Sequence, residues 1–173
     1  LVIEQTIPYE FLGKDLYSHA HMFCEQMVKH STNLILDDAP FHAEEEDIEE
    51  ALRLAKEADL VVMTNYYARI EKRGNNTHLA RALKAAGHTV VVVTNFPYRK
   101  GTTTVADAVV CNFSGTPDSI RASADLLFGA IKPYPTTKMP IDLSAEQNLP
   151  EEPDPAPRKS QEKKPGNVWG GKC

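Results

Sequence analysis

Two stretches of this sequence concentrate side chains that could hold a ligand. Asn65, Tyr66, Tyr67, Arg69, Glu71, Lys72, Arg73, Asn75 and Asn76 follow one apolar run, and Asn95, Phe96, Tyr98, Arg99 and Lys100 follow another. Amides donate and accept hydrogen bonds at once, aromatic rings stack, and guanidinium groups fork onto polar partners. These are the residue types that meet sugars or other polar ligands, and also the types found on any solvated turn. The candidate substrate-rim residues are therefore Asn65, Tyr66, Tyr67, Glu71, Arg73, Asn95 and Tyr98. For Asn65 and Asn95 a structural role competes: each can close its strand by bonding the backbone of its own turn.

The signatures of covalent or metal chemistry do not occur. Thr64-Asn65-Tyr66-Tyr67 and Thr94-Asn95-Phe96-Pro97 lack the glycines that let a backbone cradle a phosphate. No Gly-x-Ser-x-Gly elbow is present. Cys111 lies within an apolar strand, where a thiol is inert filling. His19 and His21 are two residues apart on an expected helix and point to different faces. His30, His42, His78 and His88 fall near helix ends and read as surface or cap residues. No catalytic residue, metal site or cofactor is expected in this chain.

These residues hang on an alternating pattern of elements. Strands are expected over Leu1–Glu4, Asn33–Asp37, Asp59–Asn65, Thr89–Asn95 and Asp107–Phe113, with a short edge strand at Met139–Leu143 whose Pro140 cannot donate to a ladder. The near-continuous β-branched runs after residue 59 are what strands need when helices cover both faces. Helices are expected over Asp15–Lys29, with Phe23, Cys24, Met27 and Val28 on its apolar side, and over Ala43–Glu57, with Ile48, Ala51, Leu52 and Ala55 inward. A third helix starts at an Asn76/Thr77 cap and stops at Gly87. A fourth starts with the Thr116 hydroxyl as cap and Pro117 in the first turn, buries Ile120, Ala124, Leu127 and Phe128, and stops at Gly129. The acidic run from Glu44 to Glu50 suits a helix start, where negative charge meets the positive end of the dipole. Asn65 and Asn95 are 30 residues apart and end similar Val-Val-x-Thr-Asn-aromatic phrases, the length of one βαβ crossover. The expected architecture is a three-layer α/β/α sandwich around a mostly parallel sheet of about five to six strands.

Composition narrows the class. The 173 residues are 42% apolar, enough for one domain with a proper core. Residues 1–143 form that domain. Residues 144–173, with five prolines and balanced charge, read as a tail or linker that holds Trp169, the only Trp of the chain. A net charge of −5 without a basic stripe argues against nucleic acid as a partner, and no apolar stretch is long enough for a membrane span. Cys24, Cys111 and Cys173 are odd in number and form no CxxC pair, which favours a reducing compartment such as the cytoplasm. The opening Leu1-Val2-Ile3 reads as the inside of a strand, so a fragment of a longer protein is expected.

Four phrases carry a family resemblance. Ala51-Leu52-Arg53-Leu54-Ala55-Lys56-Glu57-Ala58-Asp59-Leu60-Val61-Val62 strongly resembles a helix-to-strand phrase of the C-terminal α/β-sandwich domain of glycoside hydrolase family 3. Leu79-Ala80-Arg81-Ala82-Leu83 before Gly87 and the Val90–Val93 run, Asn95-Phe96-Pro97-Tyr98, and Ala122–Gly129 followed by Lys138-Met139-Pro140-Ile141 are similar to further segments in the same order. The flavour is that of the bacterial two-domain β-N-acetylhexosaminidases. The resemblance implies a parent that hydrolyses terminal β-linked sugars with retention, using a nucleophilic and an acid/base group about 5–5.5 Å apart. It places the nucleophile, and in the hexosaminidase branch an Asp-His acid/base pair, on an N-terminal (β/α)8 barrel. A barrel needs roughly 250 residues, so this chain would be inactive alone, would pack on the barrel, and would meet carbohydrate through it. In the glucosidase branch an acid/base glutamate comes from the C-terminal domain. The surroundings of Glu71, Arg69-Ile70 and Lys72-Arg73, do not match that motif and suit an exposed ion pair. Tyr134-Pro135-Thr136-Thr137 also departs from the family's Pro-x-Gly turn. A stand-alone flavodoxin-like domain that binds a small ligand, or serves only as an interaction module, is the competing expectation.

Overall fold

The computed structural model describes residues 1–6, 21–67, 75–97 and 104–132. Within them the chain runs β1 (Val2–Gln5), α1 (Met22–Met27), β2 (Leu36–Ala39), α2 (Glu45–Ala55), β3 (Val61–Thr64), α3 (Thr77–Ala85), β4 (Val90–Thr94), β5 (Ala108–Cys111) and α4 (Pro117–Leu127). Every strand pair is parallel, and the spatial order is β2-β1-β3-β4-β5. Parallel neighbours require a crossover, which the helices supply. The order reverses beside β1, and the crevice outside the carboxyl ends of β1 and β3 is the switch point where ligands of open α/β sheets bind.

Alternation along the strands divides the core in two. Ile3, Val61, Met63, Val90 and Val92 face α2 and α3, which contribute Ala51, Ala55, Leu79, Ala80 and Leu83. Val2, Val62 and Val93 face α1 and α4, which contribute Phe23, Cys24, Met27, Ile120 and Ala124. β3 and β4 are buried on both faces, as their continuous apolar runs require. The three-layer α/β/α sandwich expected from the sequence is the observed fold.

Several boundaries differ for physical reasons. β2 begins at Leu36, not Asn33, because its register with β1 pairs Val2 with Leu36 and Gln5 with Ala39. Asn33 is held in a turn by its N–H bond to Ser31 Oγ at 3.1 Å. β5 is only half-buried, since among the described residues β4 alone pairs with it. Within the expected first helix, the described part is α1, and His21 precedes it in the left-handed region. The helix starts at Asn76 and Thr116 carry no side-chain cap from those residues. Instead Asn75 Oδ1 accepts the Thr77 N–H at 3.1 Å, and the Thr116 hydroxyl donates to Ser119 Oγ at 3.1 Å. Val28 and Phe128, expected inward, are exposed, and Phe128 stacks on the His30 ring at 4.9 Å. Gly87 and Gly129 stop their helices at φ +89° and +72°, conformations in which a side chain is strained. At α2 the Glu44 N–H donates to Asp47 Oδ2 at 2.8 Å, so part of the acidic run closes the helix start. The edge strand at Met139–Leu143 and the tail 144–173 lie outside the described residues.

Candidate functional site

Where a parallel sheet ends, the loop backbones leaving it have lost their ladder partners, and each buried N–H or C=O needs a new one. Here the partners are side-chain amides. Gln5, at the end of β1, accepts the Tyr66 N–H on Oε1 and donates from Nε2 to Phe41 O at 2.8 Å. Its own N–H donates to Thr64 Oγ1 at 2.7 Å. Asn65 accepts the Asn76 N–H at 2.7 Å and donates to Thr77 Oγ1 at 3.1 Å, tying the end of β3 to the start of α3. Asn76 passes the tie onward: its Oδ1 accepts the Ala43 N–H at 2.8 Å and its Nδ2 donates to Pro40 O at 2.9 Å. Gln5, Asn65 and Asn76 are all buried, Asn76 completely.

The same device continues across the sheet. Asn95 accepts the Tyr67 N–H at 2.8 Å and donates to Tyr67 O at 3.0 Å, clamping one residue from both sides. Tyr67 stacks on Phe96 with ring centroids 4.9 Å apart. Asn112, at the end of β5, donates to the Tyr66 hydroxyl at 3.2 Å and to Ser123 Oγ at 3.1 Å. Burial pushes the Tyr66 hydroxyl well above its ordinary range, so it stays protonated. Beside it, Phe113 holds φ at +57° with about half its surface exposed (51%). That backbone region costs a bulky residue roughly 1–2 kcal/mol.

The acidic group at the switch point is Glu4, the buried carboxyl among the described residues. Its two oxygens accept the N–H groups of Phe23 (3.0 Å) and Cys24 (2.9 Å) at the start of α1. Desolvation raises its pKa above 4.5, and the two amide donors pull partway back. His78 Nε2 lies 2.7 Å from Ala43 O and His42 Nδ1 3.3 Å from Asn75 O, with the two rings 4.5 Å apart. Carbonyls only accept, so these contacts place the imidazole protons on those nitrogens. Both histidines, read from the sequence as surface or cap residues, are half-buried. Among the described residues no three His, Cys, Asp or Glu side chains gather as a metal would require.

Of the residues singled out from the sequence, Asn65, Tyr66, Tyr67 and Asn95 come together at this rim. Glu71, Arg73 and Tyr98 lie outside the described residues. Among the described residues, Asn65 bonds the start of α3 and Asn95 bonds Tyr67, each tying its strand end to another chain segment. Sequence reading missed Gln5, Glu4 and Asn112, and saw Asn76 as a ligand-type or cap residue rather than as a tie between loops. One signal was available for Asn112. Asn65-Tyr66, Asn95-Phe96 and Asn112-Phe113 repeat an Asn-aromatic step at three adjacent strand ends, of which only the first two were paired.

The arrangement defines a doubly wound α/β domain whose strand ends are cross-tied by its own amides. Similar folds occur within larger glycosidases. A family 3 β-N-acetylglucosaminidase from Paenibacillus sp. str. FPU-7 matches 76% of this chain at 18% identity and a TM-score of 0.60. A β-glucosidase from Listeria innocua, solved with isofagomine and with glucose, matches 75% at 18% identity and a TM-score of 0.56 in both structures. The chain spans 25% of the first structure and 21% of the others, so the shared fold is one part of those proteins. No protein-family model and no curated protein matches the chain.

Two outcomes are expected from this geometry. Asn76→Ala strands a buried Ala43 N–H and the Pro40 carbonyl, at about 1–3 kcal/mol for each unsatisfied group. Denaturant unfolding should show a loss of about 2–4 kcal/mol, and a loss under about 0.5 kcal/mol would show that the tie carries no stability. For Glu4, a raised pKa means that the folded state binds the proton more tightly than the unfolded state. Its contribution is then greatest below pH 4.5 and declines as pH rises through the raised value. Unfolding curves should show wild type losing stability relative to Glu4→Gln as pH rises above 4.5. A relative gain over that range would mean that the amide donors outweigh desolvation.

Proposed function

We propose that this chain is the non-catalytic C-terminal α/β domain of a β-N-acetylhexosaminidase-like family 3 glycoside hydrolase. It packs on an N-terminal (β/α)8 barrel that carries the catalytic groups, and its strand-end loops rim the sugar site. The observation that carries this reading is the fold shared with one segment of a family 3 β-N-acetylglucosaminidase and of a β-glucosidase, together with four sequence phrases in the family's order. The chemistry of the rim supports it. A retaining glycosidase places two carboxyl groups about 5–5.5 Å apart around the bond to be broken. Glu4 spends both oxygens on α1, and the amides at the switch point spend their polar atoms on the fold. The β-N-acetylglucosaminidase activity of the Paenibacillus neighbour is the one this reading transfers to the parent.

The 2-1-3-4-5 strand order favours a second reading, a flavodoxin-like domain that binds a small ligand at its switch point. A ligand that binds only the folded state raises the melting temperature with its concentration. A shift with nucleotides or flavins and none with sugars would favour it.

The purified chain should give no turnover of an aryl N-acetyl-β-glucosaminide above a blank. The coding sequence upstream of Leu1 should encode a barrel-length segment, and the joined polypeptide should turn the same substrate over. Turnover by the chain alone, or an upstream sequence with no barrel, would overturn the proposal.

A further inference from the structure

The segment between β2 and α2 and the start of α3 hold each other through two histidines. His42 Nδ1 lies 3.3 Å from the carbonyl of Asn75, and His78 Nε2 lies 2.7 Å from the carbonyl of Ala43. Each ring gives its proton to the chain segment that carries the other. The exchange is reciprocal, and it brings the two rings to 4.5 Å between centroids at a tilt of 39°. Both imidazoles are half-buried.

This contact is one of three ties on Pro40–Ala43. Asn76 holds the Pro40 carbonyl and the Ala43 N–H, and Gln5 holds the Phe41 carbonyl. Amides keep their hydrogen bonds at any ordinary pH, whereas an imidazole changes charge between about pH 5 and pH 8. A neutral pair needs only the two donors already in place. A doubly protonated pair puts two like charges side by side, partly out of water, where screening is weak.

The surroundings add to that cost. His78 lies in the first turn of α3 and His42 three residues before α2, both at the positive ends of helix dipoles. The charged side chains of the adjoining elements are Asp37 and Asp38 on β2, Glu44 to Asp47 at the start of α2, and Arg81 on α3. Asp38, Glu44, Glu45, Glu46 and Arg81 are exposed, where charges act feebly on their neighbours. Asp47 accepts the Glu44 N–H.

We propose that His42 and His78 form an acid-released clasp. Near neutral pH their reciprocal bonds hold Pro40–Ala43 against the start of α3, and protonation of both rings frees that segment. The segment borders the switch point through Gln5, so its release loosens one wall of the crevice there. The open state binds one proton more than the closed pair, so opening gains as pH falls. The clasp stands apart from the reading of the domain as part of a glycosidase.

Hydrogen exchange of the 173-residue chain, read amide by amide by NMR from about pH 8 to pH 5, tests it. Protection is corrected for the intrinsic exchange rate and taken relative to Val92. The Ala43 N–H should lose about tenfold or more over that range, the effect of one proton taken up across one pH unit. His42→Gln and His78→Gln each keep a donor and leave a lone imidazole, so either should flatten the response. Glu4→Gln, which removes the buried carboxyl, should leave it in place. A flat wild-type profile overturns the clasp, as does a fall that persists in either histidine variant or vanishes in Glu4→Gln. The wild-type ring signals give a check that needs no variant. They should shift together with the loss at Ala43, and rings that finish shifting while Ala43 keeps its protection overturn the clasp as well.

Discussion

The carboxyl edge of a parallel sheet is where its hydrogen-bonding runs out. Every loop leaving β1, β3, β4 or β5 carries backbone groups that the ladder no longer serves, and burial makes each unserved group costly. Gln5, Asn65, Asn76, Asn95 and Asn112 meet that requirement with side-chain amides, which donate and accept in the same plane. Each spans two chain segments, so the loops are fixed relative to one another as well as to the sheet. The position of the aromatic rings follows from this. Tyr66 and Tyr67 are held at their N–H groups by Gln5 and Asn95, one from each neighbouring strand.

The two helix layers are attached differently. Both pack on the sheet through apolar stripes of small and branched side chains. Polar anchoring then distinguishes them: Asn65 and Asn76 tie the α3 layer to the strand ends, whereas Glu4 ties the start of α1 with a carboxylate. At the far end of that second layer, His30 pairs with Asp125 at 2.9 Å and lies against Phe128. A partly exposed pair of this kind contributes little to stability, so the α1–α4 contact depends on Phe23, Met27, Ile120 and Ala124.

Much of this was legible in the sequence, for local reasons. Val90–Thr94 has to be a central strand, because an unbroken β-branched run leaves neither face for water. Gly87 and Gly129 mark helix ends because left-handed backbone favours glycine. What was not legible depends on register or on distance along the chain. β2 slides three residues from its expected start because β1 sets its pairing, and Asp37 and Asp38 are tolerated in it because it is an edge. The amide ties join Gln5 to Tyr66, Ala43 to Asn76, and Asn112 to Tyr66 across 61, 33 and 46 residues. No local propensity encodes such a bond. Asn65 and Asn95 attracted notice as ligand-type residues, and the structure shows the same hydrogen-bonding capacity directed at the protein itself.

Native-state hydrogen exchange tests most directly whether these amides hold the rim. The N–H groups of Ala43, Tyr66, Tyr67 and Asn76 lie outside every helix and strand, yet each donates to an amide side chain. Their opening free energies should approach that of Val92 in the central strand. Exchange at the rate of an exposed loop amide such as that of Thr32 would show that the ties are not persistent, and would contradict the account.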